Sequence, residues 1–180
     1  MELIQGIKER RSIRKFKNEV VDRGIMTEIV DIARFAPSWS NFQVARWTLV
    51  DNPEVIAKLA SQAVRGFVYN KDVLTEAKGV AVLSHVAGVS GSLEQYGIDY
   101  TDTDKWETFD AGIACQTFCL AAHAKGVATC IFGLIDEAVV ADIAEIPYGE
   151  VVSAMIVYGY GDIKPVAPKR KEINEVLRFL

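Results

Sequence analysis

No apolar run in the chain approaches the roughly 20 residues that a membrane span requires. The opening stretch, MELIQGIKERRS, carries charges where a signal peptide would carry its apolar segment. The expectation is a soluble, cytoplasmic protein. Cysteine is scarce: Cys115, Cys119 and Cys130 form no CxxC, and their odd number leaves one thiol over in any pairing scheme. Their apolar surroundings predict small buried thiols, not a disulfide framework. Histidine is scarcer still. His85 and His123 have no companions at ligand spacing, and neither HExxH nor a Cys/His quartet occurs, so no bound metal is expected. The common phosphate-binding loops are missing too: there is no GxxxxGK[ST], and no GxGxxG follows a strand and opens a helix. Gly88-Val89-Ser90-Gly91 is one residue short of the GxSxG nucleophile elbow, which argues against serine hydrolase chemistry.

What is present is apolar content and unevenly placed charge. Half of the 180 residues are hydrophobic, enough for one sizeable core, and the length fits a single domain over 1–180. Net charge is −4, from 20 Lys+Arg against 24 Asp+Glu. Residues 8–17 (KERRSIRKFK) hold six bases and one acid, and residues 164–171 (KPVAPKRK) hold four bases and no acid. The other 162 residues carry a net charge of −13. Two cationic segments on an acidic body predict an anion site if folding brings them together. The arginines at 10, 11 and 14 present planar forks suited to phosphate, and Ser12 lies among them. Nucleic acid would be repelled by the remaining surface, so a small phosphorylated ligand is favoured.

Along the chain, Leu3, Ile4 and Ile7 give residues 2–10 one apolar helical face. Asp22 is placed to cap a helix bearing Ile25, Ile29, Ile32, Ala33 and Ala36, which Pro37 stops. Residues 38–43 are a polar loop, 46–51 a strand, and 53–65 a helix with Pro53 in its first turn. A buried strand is expected at 79–86, then a long loop at 88–105. Residues 109–124 form a helix apolar nearly all round, to be buried in the domain or against a partner. Strands at 127–132 and 151–158 flank a short helix at 136–146. The tail ends in an apolar patch, Ile173, Val176, Leu177, Phe179 and Leu180, that needs somewhere to dock.

Four segments, in order, resemble the nitroreductase family of FMN oxidoreductases along nearly the whole chain. Arg10-Arg11-Ser12-Ile13-Arg14-Lys15-Phe16 is similar to that family's RRSxRxF opening, and Ala36-Pro37-Ser38-Trp39-Ser40-Asn41-Phe42-Gln43 to its APSxxNxQ segment. Residues 126–133 (GVATCIFG) resemble its small-residue strand and glycine turn. Gly159-Tyr160-Gly161-Asp162 followed by Pro168-Lys169-Arg170-Lys171 resembles its closing region.

The resemblance implies an α+β fold, a mixed and largely antiparallel sheet flanked by helices, in an intertwined homodimer with the 109–124 helix near the dimer core. Alternating strands and helices alone would suggest a doubly wound parallel sheet. It also implies bound FMN and transient NADH or NADPH, with electrons passed to a nitroaromatic, quinone or similar acceptor by ping-pong exchange. Arg10, Arg11, Ser12, Lys169 and Arg170 would hold the phosphate, and Arg14 the N1/C2 edge of the flavin. Backbone groups near Phe132 and Gly133 would face N5, so that no catalytic side chain is needed. Pro37, Ser38, Ser40 and Asn41 would reach the partner's flavin, with Asn70 close by. Val73 stands where some relatives have lysine, and the 131–135 turn lacks the charge that some carry beside the flavin. Trp39, Phe42, Tyr96, Tyr100 and Trp106 are candidates to line the acceptor pocket or to pack in the core. Two other activities stay open: flavin binding without turnover, as a store or sensor, and specialised dehalogenation or flavin fragmentation.

Overall fold

The computed structural model describes residues 2–66 and 68–180. Its centre is a sheet of four strands, β1 (Ala45–Val50), β2 (Gly79–Val86), β3 (Ala128–Phe132) and β4 (Glu150–Gly159), in the order β1-β2-β4-β3. Every strand pair is antiparallel. The mixed character expected of the sheet shrinks to a parallel bridge between Ser12 and Thr129.

Helices cover both faces, which explains why β2 is apolar without alternation. On one face Val80 and Val82 of β2 pack with Met155 and Val157 of β4 under Ile56, Leu59, Leu74 and Val140. These belong to α3 (Pro53–Lys58), the π-helical turn Leu59–Ala63 that continues it, α4 (Val68–Glu76) and α6 (Glu137–Ile143). On the other face Ala81, Leu83, Ala154 and Ile156 meet Met26, Ile29 and Phe118. These come from α2 (Arg23–Ala33) and α5 (Thr103–Ala124). The register breaks once: Leu83 pairs with Ala154 and Ser84 with Val152, so Ser153 is an extra residue in β4.

Local chemistry sets the helix starts. Asp22 accepts from the Gly24 amide at 2.7 Å, and Asn52 from the Glu54 amide at 2.9 Å, with Pro53 opening α3. α4 is not foreseen from sequence; Val73 and Leu74 are its buried residues, so Val73 serves the core. α5 begins six residues before the apolar stretch, at Thr103, and shortens the expected 88–105 loop. It is not buried all round, because Phe109, Gly112 and Gln116 stay exposed. α1 (Leu3–Glu9) buries only Gly6; the apolar face expected of it is open. After Gly161 the tail, including α7 (Ile173–Val176), is largely exposed, and its apolar residues remain undocked.

Candidate functional site

The first basic segment is tied to the sheet edge by its backbone. The Ile13 amide donates to the Thr129 carbonyl at 3.0 Å, the Lys17 amide to Tyr160 at 2.8 Å, and the Asp162 amide to Lys15 at 3.0 Å. Glycine at 159 lets the Phe16 ring pack closely on β4. A Cβ on Gly159 would stand 3.0 Å from the Phe16 ring.

This docking brings both basic segments to one cleft of about 570 Å³, lined by Arg10 and Arg11 from the first and Lys164 from the second. Thr129 and His123 also line it. Lys169 and Arg170 do not; they lie farther along the exposed tail. The two adjacent arginines have different surroundings. Arg11 donates to the carbonyls of Lys8 (2.6 Å) and Arg10 (2.8 Å), closing the end of α1. Arg10 Nε is buried with no partner, and so is His123 Nε2. Buried polar atoms without partners are costly, and two beside one cationic cleft fit a phosphorylated group.

The charge of Arg10 reaches what surrounds it. Burial holds His123 below the usual imidazole range, with Arg10 and Arg11 adding to this and Glu9 opposing it. Cys115, Cys119 and Cys130 are buried, free thiols, as expected. Cys119 is drawn down to about 7, chiefly by the neighbouring Cys115 thiol, while that neighbour and burial push Cys115 up. Burial raises Cys130, against Arg14 and the Ser12 hydroxyl, so both residues stand near β3.

β3 is an edge strand. Thr129 turns its carbonyl outward to Ile13, and antiparallel alternation turns the backbone groups of Ile131 outward as well. Phe132 closes the strand with a buried ring, and a Cβ on the following Gly133 would meet nothing within 4 Å. Asn70 is half-buried on α4.

The 37–43 loop shares no lining residue with the cleft. Ser40, Asn41 and Gln43 hold φ values of 46°, 57° and 52°, on either side of a right-handed Phe42, and each is costly for a residue with a Cβ. The loop is held from outside: both oxygens of Asp110 accept the Trp39 amide at 3.0 Å, and Ser38 Oγ accepts the Gln43 amide at 2.8 Å. All five candidate acceptor-lining aromatics meet around it. Trp39 stacks on Tyr100 (centroids 5.8 Å apart) and packs on Trp106 (4.2 Å), and Phe42 stacks on Tyr96 at 6.5 Å.

One buried polar group escapes sequence reading altogether. His85 Nδ1 lies 2.9 Å from Ser153 Oγ, and His85 Nε2 lies 3.3 Å from Glu107 Oε2. Glu107 also accepts the Gly88 amide at 2.5 Å and the Val89 amide at 3.2 Å, which fixes the turn after β2. Ser90 donates to Asp110 at 2.6 Å. The available signal was Glu107 and Asp110 spaced three apart at the start of an apolar helix.

A model of the nitroreductase family matches residues 7–160. A Streptococcus pneumoniae nitroreductase family protein is 20% identical, with 99% of this chain and 100% of that chain covered and a TM-score of 0.86. An FMN-dependent nitroreductase from Clostridium difficile is 23% identical, with 98% of each chain covered and a TM-score of 0.77. A Desulfovibrio desulfuricans protein crystallised in complex with FMN is 22% identical, with 100% and 98% covered and a TM-score of 0.75. No curated protein matches the chain.

Proposed function

The chain belongs to the nitroreductase family, and from that premise and the cleft we propose that residues 1–180 form one FMN-binding unit of an NAD(P)H-dependent oxidoreductase. The observation that carries this reading is the partnerless Arg10 guanidinium nitrogen on a cleft shared by both basic segments. FMN in one similar structure and in the description of another supports the choice of phosphate ester.

Arg10 and Lys164 hold the phosphoryl group, and Arg11 fixes the helix end from which Arg10 projects. Lys169 and Arg170 extend the cationic run from the rim of the cleft. Ser12 and Arg14, beside Cys130, orient the flavin along the open edge of β3. There the outward backbone groups leading to Phe132 and Gly133 would face the reacting edge. FMN bound there would supply hydride acceptance at N5 from NADH or NADPH and onward electron transfer to an electron-poor acceptor. The chain contributes binding, orientation and electrostatics. Arg14 is a fixed cation where reduction places negative charge.

The working form is an intertwined homodimer. Apolar surface left open on α1 (Leu3, Ile4, Ile7), α5 (Phe109), β3 (Ile131) and the tail supports this, since monomers rarely leave so much uncovered. In that dimer Pro37, Ser38, Ser40 and Asn41, with Asn70 nearby, serve the partner's flavin, and the aromatic cluster around Trp39 faces the acceptor. Stacking favours planar, electron-poor rings such as quinones and nitroaromatics.

The test is the visible spectrum of the purified protein, followed by anaerobic NADH or NADPH. Yellow protein that bleaches supports the reductase. Bound FMN that does not bleach points to storage or sensing, and protein that takes up no FMN overturns the reading. Product analysis separates dehalogenation or flavin fragmentation from simple acceptor reduction.

A further inference from the structure

His123 has no part in the roles assigned above, yet it lines the same cleft as Arg10, Arg11 and Lys164. It is half-buried in the last turn of α5, with Nε2 enclosed and unpartnered. Facing it are Glu9 from α1, Arg10 and Arg11 from the segment that follows, and Lys164 from the tail. Lys125, just past the end of α5, is paired with Glu28 of α2. The β3 wall of the cleft, Ala128 and Thr129, brings no titratable group.

We propose that His123 is a further cationic contact of the phosphoryl group, neutral when the cleft is empty and protonated when a dianion occupies it. This rests on the reading of the cleft as the phosphate end of an FMN site. The physical reason is charge balance. With no anion present, partial burial, with Arg10 and Arg11 and against Glu9, disfavours an imidazolium, and a lysine or arginine at 123 would leave a third fixed cation beside the two arginines. A phosphoryl dianion reverses the local sign. The carbonyl end of a 22-residue helix then also favours the protonated ring. Histidine alone among the cationic side chains can follow both states near neutral pH. Loading the cleft takes up a proton, and flavin that lacks the phosphate gains nothing from it.

The test uses proton NMR of the imidazole rings in the whole protein, titrated against pH with and without FMN. There are two histidines, and His123→Gln assigns the resonance by its disappearance. The expected result is a His123 midpoint raised by about one unit or more with FMN, equivalent to about a tenfold gain in dianion affinity, and unmoved by riboflavin. FMN binding to His123→Gln should be weaker than wild type by a few-fold near pH 6, by about tenfold once the pH lies below the free His123 midpoint, and equal to it above pH 8. Comparing the two proteins at each pH cancels the titration of the FMN phosphoryl group itself. FMN that binds while the His123 midpoint stays fixed overturns the proposal and leaves the flavin reading standing. If FMN does not bind, the flavin reading falls. Inorganic phosphate then decides His123 alone: a raised midpoint upholds the anion contact, and an unmoved one overturns it.

Discussion

The two oxygens of Asp110 both accept the Trp39 amide, each at 3.0 Å, across 71 residues of sequence. Asp110 also takes the Ser90 hydroxyl, so one buried carboxylate joins the loop before β1, the loop after β2 and α5. Asp110→Ala leaves an amide and a hydroxyl unpaired, at a cost of roughly 2–5 kcal/mol. Urea unfolding reads this directly, and an unchanged midpoint would mean that the three-way tie contributes nothing to stability.

The adjacent arginines should separate in experiment. Arg10→Ala is expected to weaken FMN binding by about tenfold to a hundredfold, the range for a lost charge-assisted hydrogen bond. Arg11→Ala loses bonds to two carbonyls at the end of α1 and should change stability by about 1 kcal/mol with a smaller effect on FMN. Flavin fluorescence quenching measures both. Lys164→Ala should exceed Arg170→Ala in effect, since Lys164 lines the cleft and Arg170 does not.

Tyr158 predicts an alkaline limit. Burial, helped by Asp51, pushes its phenol up to about 12 from an ordinary value of 10.0. The sign follows from proton binding. Below pH 10 both folded and unfolded chains hold the proton, and the contribution is complete. Between about 10 and 12 the unfolded chain ionises and the folded one does not, so stability falls by about 2–3 kcal/mol at most. Tyr158→Phe should remove that decline. Unfolding midpoints for the two proteins would diverge from their neutral-pH offset only above pH 10.

Removal of residues 172–180 tests the dimer. The segment carries five exposed apolar residues, Ile173, Val176, Leu177, Phe179 and Leu180, and makes no packing contact with either core cluster. The truncated chain should fold with unchanged unfolding cooperativity and sediment as a monomer at concentrations where the full chain is dimeric. A full chain that sediments as a monomer would remove the need for a partner.

Much of the framework was legible in residue order because its cause is local. β2 and β4 are apolar and rich in β-branched residues, and Asp22 and Pro53 mark the starts of α2 and α3. Charge alone pointed to an anion site only on condition that the basic segments meet, and the family resemblance implied the meeting; Lys164 lines the cleft where Lys169 and Arg170 were the expected residues. What escaped depends on distant partners. The first turns of α5 look like loop because Trp106 and Glu107 find their reason in Trp39, His85 and the 88–89 amides. α4 shows little periodicity because its buried side, Val73 and Leu74, is only two adjacent residues wide.

The extra residue in β4 has a consequence of its own. Ala154 and Val152 face opposite sides of the sheet, as neighbours in an unbroken strand would, so a chain one residue shorter could lay down a flawless ladder at that point. The irregularity adds nothing to strand pairing; what it delivers is a single hydroxyl opposite the imidazole of His85. A deletion there should therefore be tolerated by the sheet and felt by the histidine.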